Sequence, residues 1–120
     1  MSISSQVVND IIRWIDNNIE KPLQVKDVAE HAGYSIWHFQ RIFSHYHGVS
    51  LGRYLRERRL NRAAELLLNT NMSVYQICLK CGFDSQQSFT RTFTRLFQCS
   101  PALYRIKYKN SNDKLTDSRH

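Results

Sequence analysis

The sequence predicts an all-α protein in which two helix-turn-helix subdomains are joined by a long linking helix, with about seven helices in total. No segment of the 120 residues alternates apolar and polar side chains with the period of a strand. Only two prolines and four glycines interrupt the helical pattern. A short helix, a glycine-containing turn and a second helix with an aromatic face also occur twice. With 42% hydrophobic residues, the chain can bury one or two small cores.

Four helices are predicted in the first 69 residues. The first starts after Ser4 or Ser5, and the second covers residues 24–32. The third starts at Ser35, and the fourth runs from Ser50 to about Asn69. The second should end at Gly33 and the third at Gly48, because glycine readily adopts the left-handed conformation that closes a helix. The apolar face of the third helix is predicted to contain Phe39, Ile42, Phe43 and Tyr46. In the fourth helix, apolar positions alternate with arginines, which indicates one buried and one basic face.

Three further helices are expected in the second half of the chain. They should begin at Ser73, near Ser85 and at Ser100. Gln76, three residues after the first of these serines, completes a capping box. Pro101 occupies the first helical position after the last of them. The sixth helix has four apolar residues on one stripe: Phe89, Phe93, Leu96 and Phe97. Residues 107–120 are predicted to form a flexible polar tail.

An internal repeat relates the two halves of the chain. The matched pairs lie 49 residues apart before the turn and 50 after it: Gly33 and Gly82, Phe39 and Phe89, Arg41 and Arg91, Phe43 and Phe93, Tyr54 and Tyr104. Shared glycine, aromatic and arginine positions indicate a duplicated helix-turn-helix, the alternative being a duplicated hairpin with a purely structural role. The expected domain covers residues 7–106, divided into a first subdomain (7–49), a linking helix (50–69) and a second subdomain (73–106).

The net charge of +7 is unevenly distributed along the chain. Residues 1–30 contain three basic and five acidic side chains, whereas residues 31–112 contain twelve basic and three acidic ones. A basic body rich in arginine suggests a polyanionic partner such as nucleic acid. A generic solvated basic surface is the alternative that charge alone leaves open.

Opposite its aromatic face, the second helix of each copy carries side chains suited to reading bases. They are Trp37, Gln40, Arg41 and Ser44 in the first copy, and Gln86, Gln87, Thr90, Arg91 and Thr94 in the second. Arginine can bond guanine, glutamine can bond adenine, and threonine or an aromatic ring can contact the thymine methyl group. Trp37 could instead be a core residue, but phenylalanines already fill the inner face, so exposure is favoured. A helix with such a face fits the major groove.

The three cysteines are predicted to pack rather than to bind metal or react. Cys78 and Cys81 have the spacing of half a zinc site or of a redox motif, and Cys99 follows later. A structural zinc site needs four ligands and a thioredoxin-type site needs a βαβ context, and neither is evident. The chain also lacks a nucleophile–base arrangement and a phosphate-binding glycine loop. We therefore expect no cofactor, no metal and no enzymatic activity.

Three segments, "GYSIWHFQRIF", "GRYLRERRLNRAAELL" and "ICLKCGFDSQQSFTRTFTRLFQCSPALYR", resemble the DNA-binding domain of AraC/XylS transcriptional regulators. The likeness extends over about residues 7–106 and is greatest for the single-domain subgroup that includes MarA, SoxS, Rob and RamA. It implies a monomer that binds double-stranded DNA at an asymmetric promoter site and recruits RNA polymerase. Base or groove contacts then fall on Trp37, Gln40, Arg41, Gln86, Gln87, Thr90 and Arg91.

Phosphate contacts are assigned to seven further residues: Ser35, Arg53, Arg56, Arg62, Ser85, Arg95 and Arg105. The chain has no room for the effector-binding domain of most members, so no small-molecule effector is expected. The subgroup likeness suggests an activator of stress, efflux or multidrug-resistance genes. Without a long apolar run or a signal-peptide pattern, a cytoplasmic protein with no membrane contact is expected. The resemblance implies that it is bacterial and nucleoid-associated. Two alternatives are an architectural DNA-binding protein and a protein-interaction domain that ignores DNA.

Overall fold

In the computed structural model, which describes residues 3–21 and 23–109, seven α-helices follow one another and no strand occurs within those ranges. The helices are α1 (Ile3–Asn17), α2 (Val25–Ala32), α3 (Ile36–His47), α4 (Leu51–Asn69), α5 (Val74–Lys80), α6 (Gln86–Phe97) and α7 (Pro101–Tyr104). A π-helical turn, Arg105–Lys109, follows α7 directly. The all-α prediction is confirmed, with α2–α3 and α5–α6 as the two helix-turn-helix pairs. None of the helices in the described part is long and apolar enough to cross a membrane.

The chain divides into two compact units, residues 1–59 and residues 60–120, and each has its own hydrophobic core. The first core is formed by Val8, Ile11, Ile15, Ile19, Val28, Ala29, Phe39, Phe43, Leu51 and Leu55. The second is formed by Leu60, Ala63, Ala64, Leu66, Leu67, Ile77, Cys78, Cys81, Phe89 and Phe93. Helix α4 contributes to both cores, because the boundary between the units falls between Arg59 and Leu60.

Each helix-turn-helix has a left-handed glycine after its first helix and a serine cap before its second. Gly33 has φ 84° and Gly82 has φ 81°, a region that glycine adopts without the steric cost that a β-carbon brings. The side chains of Ser35 and Ser85 each accept a hydrogen bond from the backbone N–H three residues later, and so start α3 and α6. These are the turn and cap positions that the sequence predicts.

The predicted capping box at the start of α5 is also present. Ser73 Oγ accepts a hydrogen bond from the Gln76 backbone N–H at 3.1 Å, and Gln76 Oε1 accepts one from the Ser73 N–H at 2.9 Å. The two bonds satisfy backbone donors that the first turn of a helix leaves without partners. Helix α5 therefore begins where the sequence predicts, although it ends at Lys80, before the turn glycine.

In each unit, two phenylalanines and a tyrosine hold the second helix of the pair in place. All four phenylalanines are fully buried: Phe39 and Phe43 in α3, Phe89 and Phe93 in α6. The ring of Tyr54, from α4, lies 5.5 Å from that of Phe43, centre to centre. The ring of Tyr104, from α7, lies 5.4 Å from that of Phe93. Aromatic pairs attract one another at such separations, so the sequence repeat is also a repeat in packing.

Two apolar residues that the sequence predicts on the buried stripes are exposed instead. Tyr46 of α3 is 45% exposed and Leu96 of α6 is 40% exposed. They are equivalent positions of the repeat, and each lies in the last turn of its helix, past the second phenylalanine. The apolar stripe of each helix is therefore longer than the core that covers it.

Residues 107–109, which the sequence assigns to the polar tail, belong to the π-helical turn. The Lys109 ammonium donates hydrogen bonds to the Thr70 carbonyl oxygen at 3.3 Å and to Asn71 Oδ1 at 2.9 Å. Because Thr70 directly follows α4, a cation near the end of that helix also interacts favourably with the helix dipole. Residues 110–120, the rest of the predicted tail, lie outside the described residues.

Within the first unit, an ion pair and a tyrosine link α1 to α4. Arg58 Nε donates to Asp16 Oδ1 at 2.8 Å, and the Tyr54 hydroxyl donates to the same oxygen at 3.3 Å. Burial, followed by the negative charge of Asp16, raises the pKa of Tyr54 to about 12, while Arg58 acts in the opposite direction. The folded protein thus favours the neutral phenol.

We expect the first unit to lose stability in alkali through Tyr54. Its folded pKa lies above the ordinary value of 10.0, so its contribution is complete below pH 10 and is lost as the pH rises from 10 to about 12. Denaturant unfolding should show a steeper decline over this range in the wild type than in Tyr54→Phe, which cannot ionise. Tyr75→Phe is the matched control at an exposed position. Identical pH profiles for the wild type and Tyr54→Phe would contradict this assignment.

Candidate nucleic-acid interface

Helix α3 buries its aromatic face and exposes the face predicted to contact DNA. Trp37, Gln40 and Arg41 are all exposed, whereas Phe39 and Phe43 are fully buried on the other side. Trp37 is 67% exposed and is therefore not a core residue. The two phenylalanines set the rotation of the helix, since residues three and four apart share a helix face.

The exposed face of α3 has a cation and an aromatic ring in contact. Arg41 Cζ lies 4.9 Å from the centre of the Trp37 ring, at the i, i+4 spacing that makes side chains neighbours on a helix. A shallow depression beside this pair is further lined by His38, Ile42, His45 and Tyr46. These four residues are not among those that the sequence predicts to contact DNA. The repeat contains a signal for one of them, because His45 matches Arg95 at the offset of 50.

Helix α6 brings together the predicted residues of the second copy. One open depression is lined by Gln86, Gln87, Thr90 and Arg91. Thr90 is half-buried and the other three are exposed. The Arg91 side chain makes no ion pair, hydrogen bond or ring contact with a described residue. Its N–H donors are therefore open to a ligand, and the amides beside it offer both donors and acceptors.

Ser35 and Ser85, predicted to contact phosphate, act first as helix caps. Ser35 Oγ accepts the His38 N–H at 3.2 Å, and Ser85 Oγ accepts the Ser88 N–H at 3.1 Å. Each hydroxyl still has its own proton to donate, and each lies at the N-terminus of a helix, where anions are favoured. Capping and a phosphate contact are therefore compatible.

The arginines predicted to contact phosphate differ in their availability. Arg53 Nε lies 2.9 Å from the carboxylate of Glu57, and Arg62 is paired at 3.3 Å with a glutamate three residues later. Ion pairs this exposed contribute at most about 1 kcal/mol, so a phosphate can compete for either arginine. Arg56 and Arg95 are exposed, and their side chains make no hydrogen bond or ion pair with a described residue.

Arg105 is held differently from the other arginines of the set. It is half-buried, and its guanidinium donates to the carbonyl oxygens of Leu67 at 2.9 Å and Thr70 at 3.3 Å. These carbonyls lie at the end of α4, where the last C=O groups of a helix have no partner within it. The geometry gives Arg105 a structural role inside the second unit, to which any phosphate contact would be additional.

The cysteines lie in packing positions. Cys78 and Cys81 are buried in the second core, and Cys99 is partly exposed. Burial raises the pKa of the Cys78 thiol, so the uncharged form is favoured over the thiolate that binds metal or reacts. Among the described residues, no group of three or more histidine, cysteine, aspartate or glutamate side chains is arranged to hold a metal ion.

Comparison with known proteins agrees with this geometry. A family model described as "Helix-turn-helix domain" matches residues 28–107. The HTH-type transcriptional activator AarP of Providencia stuartii is 43% identical over 111 residues, which are 92% of this chain and 82% of that protein. An AraC-type regulator structure from Chromobacterium violaceum superimposes with a TM-score of 0.79 at 36% identity, covering 87% of this chain and 93% of that one. The structure of the DNA-binding domain of AdpA, in complex with a target DNA, superimposes with a TM-score of 0.81 at 27% identity. The match covers 87% of this chain and 94% of that one.

The fold and these relatives define a class of protein, the DNA-binding transcription regulators built on paired helix-turn-helix motifs. The chain belongs to the AraC-type family of these regulators, and the resemblance that its sequence shows is confirmed. It is a sequence-specific regulator of transcription and not an enzyme. Helices α3 and α6, the second helices of the two motifs, are hereafter called the recognition helices.

If the cysteines only pack, substituting them should change the stability of the fold and leave DNA binding intact. Cys78→Ser places a hydroxyl in a fully buried site and should lower the free energy of unfolding by about 1–3 kcal/mol. Cys99→Ser, at a partly exposed position, is the control and should change it by about 0.5 kcal/mol or less. Both variants should bind DNA below their melting temperatures, and elemental analysis of the purified protein should find no stoichiometric zinc or iron. One metal equivalent per chain, lost in Cys78→Ser, would contradict the packing role.

Proposed function

We propose that this protein is a monomeric transcription activator that binds an asymmetric, two-part promoter site, with α3 and α6 in successive major grooves. One observation carries the proposal. Two copies of the same framework each expose a face of the kind that reads bases, and the two faces differ in composition. Different faces call for different half-sites, so the DNA site should not be palindromic.

The side chains on the two faces suggest what each copy reads. In the first copy, Arg41 suits guanine, Gln40 suits adenine, and the Trp37 ring suits a thymine methyl group. In the second, Arg91 suits guanine, while Gln86, Gln87 and Thr90 provide amides and a hydroxyl for neighbouring bases. Exposure of Arg41 and Arg91 on their helices supports direct contact with base edges.

Phosphate contacts would hold the protein in register on its site. Arg56 and Arg95 are the strongest candidates because their guanidinium groups have no described partner. Arg53 and Arg62 could exchange their glutamate partners for phosphate. Contacts of this kind contribute to affinity for every sequence and give binding its dependence on salt.

The length of α4 supports the two-groove arrangement. A helix of 19 residues is about 28 Å long at a rise of roughly 1.5 Å per residue. Successive major grooves on one side of B-DNA recur about every 34 Å. We propose that α4 acts as the spacer and that bending of the DNA absorbs the remaining difference.

Activation by recruitment of RNA polymerase is the proposed outcome of binding, in the cytoplasm of a bacterium. The printed name of the AarP relative describes an activator, and the stretch similar to this chain makes up 82% of that protein. Action without a small-molecule effector is part of the proposal, by analogy with the single-domain subgroup that the sequence resembles. Genes of stress response, efflux and multidrug resistance are the proposed targets, by analogy with the subgroup that the sequence resembles.

Base readout by Arg91 can be separated from phosphate binding by comparing two arginines. Arg91→Ala should weaken binding to the cognate site by about 1–3 kcal/mol and relax preference at one base pair. Arg56→Ala is the matched control; it should weaken cognate and random DNA alike and lower the salt slope by about one unit. Titrations of both duplexes at several salt concentrations measure these quantities. If Arg91→Ala affects both duplexes equally, the protein is better described as an architectural DNA binder.

The two-groove arrangement makes a prediction about spacing. Inserting five base pairs between the half-sites turns one of them to the opposite side of the duplex, because the helical repeat is about ten base pairs. Footprinting should then show protection of a single half-site. A ten-base-pair insertion restores the rotation of one half-site relative to the other but still moves the two half-sites further apart. Unchanged bipartite protection after the five-base-pair insertion, or two proteins bound to one palindromic site, would contradict the spacer role of α4.

A further inference from the structure

We propose that Trp37 is a positioning residue for Arg41, whose guanidinium it holds over its ring in the orientation used to read a base. The proposal rests on the proposed function, in which Arg41 contacts a base edge, and it adds a specificity-determining contact inside the protein. It applies to the first recognition helix only. At the offset of 50, the second copy has Gln87 where the first has Trp37.

Packing does not account for a tryptophan at this position. Trp37 is 67% exposed and is absent from both the buried core of the first unit and the partly buried residues around that core. Tryptophan is highly buried on average, and Trp37 is the most exposed of the large hydrophobic side chains among the described residues. Its observed interaction is with the cation one helical turn later, Arg41 Cζ lying 4.9 Å from the ring centre. Cation–π attraction operates within about 6 Å of the centroid.

The contact leaves Arg41 able to read a base. A guanidinium attracted to a ring face needs no hydrogen-bond acceptor there, so its N–H groups remain available for guanine. An arginine with no partner samples many rotamers, and ordering it at an interface weakens binding. A cation–π contact at an exposed site favours the held conformation by a factor of about 2 to 5. Trp37 thus reduces the loss of conformational freedom when Arg41 binds.

The second recognition helix provides an internal comparison. Arg91 is the repeat equivalent of Arg41 and is equally on the exposed side of its helix. The residue four positions earlier, Gln87, has an amide and no aromatic face, and Arg91 has no described side-chain partner. DNA alone must therefore order Arg91. The two arginines should differ in how strongly they are coupled to the residue one turn before them.

A pair of double-mutant cycles tests this difference. The first uses Trp37→Leu, Arg41→Ala and their combination in the full chain, since leucine keeps apolar bulk without a ring. The matched control uses Gln87→Leu, Arg91→Ala and their combination. The probe is a duplex selected from a random library by the wild-type chain, and fluorescence anisotropy measures binding. We expect the first pair to be coupled by about 2- to 5-fold and the second by less than about 2-fold.

Two further measurements distinguish positioning from a direct contact by the ring. In the free protein, ring-current shifts of the Arg41 side-chain protons should be present in the wild type, largely retained in Trp37→Phe and absent in Trp37→Leu. On DNA, Trp37→Leu should relax preference at the same base pair that Arg41→Ala relaxes, with Trp37→Phe restoring part of it. If Trp37 had a purely structural role, its substitution would neither change the Arg41 proton shifts nor relax preference at the base pair that Arg41 reads. Circular dichroism checks that each variant is folded.

The outcomes separate this proposal from the proposed function. If the losses from Trp37→Leu and Arg41→Ala are additive and Trp37→Leu leaves preference at the base pair read by Arg41 unchanged, the positioning role is wrong while base readout by Arg41 stands. If Arg41→Ala weakens selected and random duplexes equally, base readout by Arg41 fails, and the positioning role fails with it. Coupling in the first cycle, its absence in the second and relaxation at the shared base pair together would support the proposal.

Discussion

The exposed faces that are predicted to contact DNA depend on pairs of buried phenylalanines spaced four residues apart. Side chains at this spacing lie on one face of a helix, so burying Phe39 and Phe43 sets the rotation of α3 about its axis. Trp37 and Arg41 face outward as a direct result. If the phenylalanine pair were shifted by one residue along the helix, the helix would rotate by about 100° and its exposed polar side chains would turn toward the core. The equivalent pair does the same for α6.

The two copies of this framework share their packing positions and differ on their outward faces. The elements that define the fold recur in both copies: a left-handed glycine, a serine cap, two phenylalanines and a tyrosine from the following helix. The outward face carries no packing constraint, and there the copies differ, with a cation–π pair in one and a row of amides and hydroxyls in the other. Even the closing residue differs, since Gly48 is matched by Gln98, which adopts the same left-handed region with φ 66°.

The positive charge of the chain is divided between folding and binding. Arg58 is paired with Asp16 inside the first unit, and Arg105 is bonded to carbonyls at the end of α4 in the second. Arg56, Arg91 and Arg95 are exposed without a described partner. Net charge therefore indicates the class of partner, a polyanion, but overstates how many cations are available to it. The burial and hydrogen bonding of each guanidinium group determine whether that arginine is available to contact DNA.

Short-range interactions explain why the sequence alone determined the helices, their caps, the glycine turns and the outward face of each recognition helix. Capping bonds join residues three apart, glycine acts on its own φ, and helix faces follow a period of 3.6 residues. Tertiary structure decided the rest. Tyr46 and Leu96 continue an apolar pattern, yet they are exposed because the cores end before them. Arg105 looks like any basic residue until folding brings it to Leu67, 38 positions away, because a helix end elsewhere in the chain needs donors.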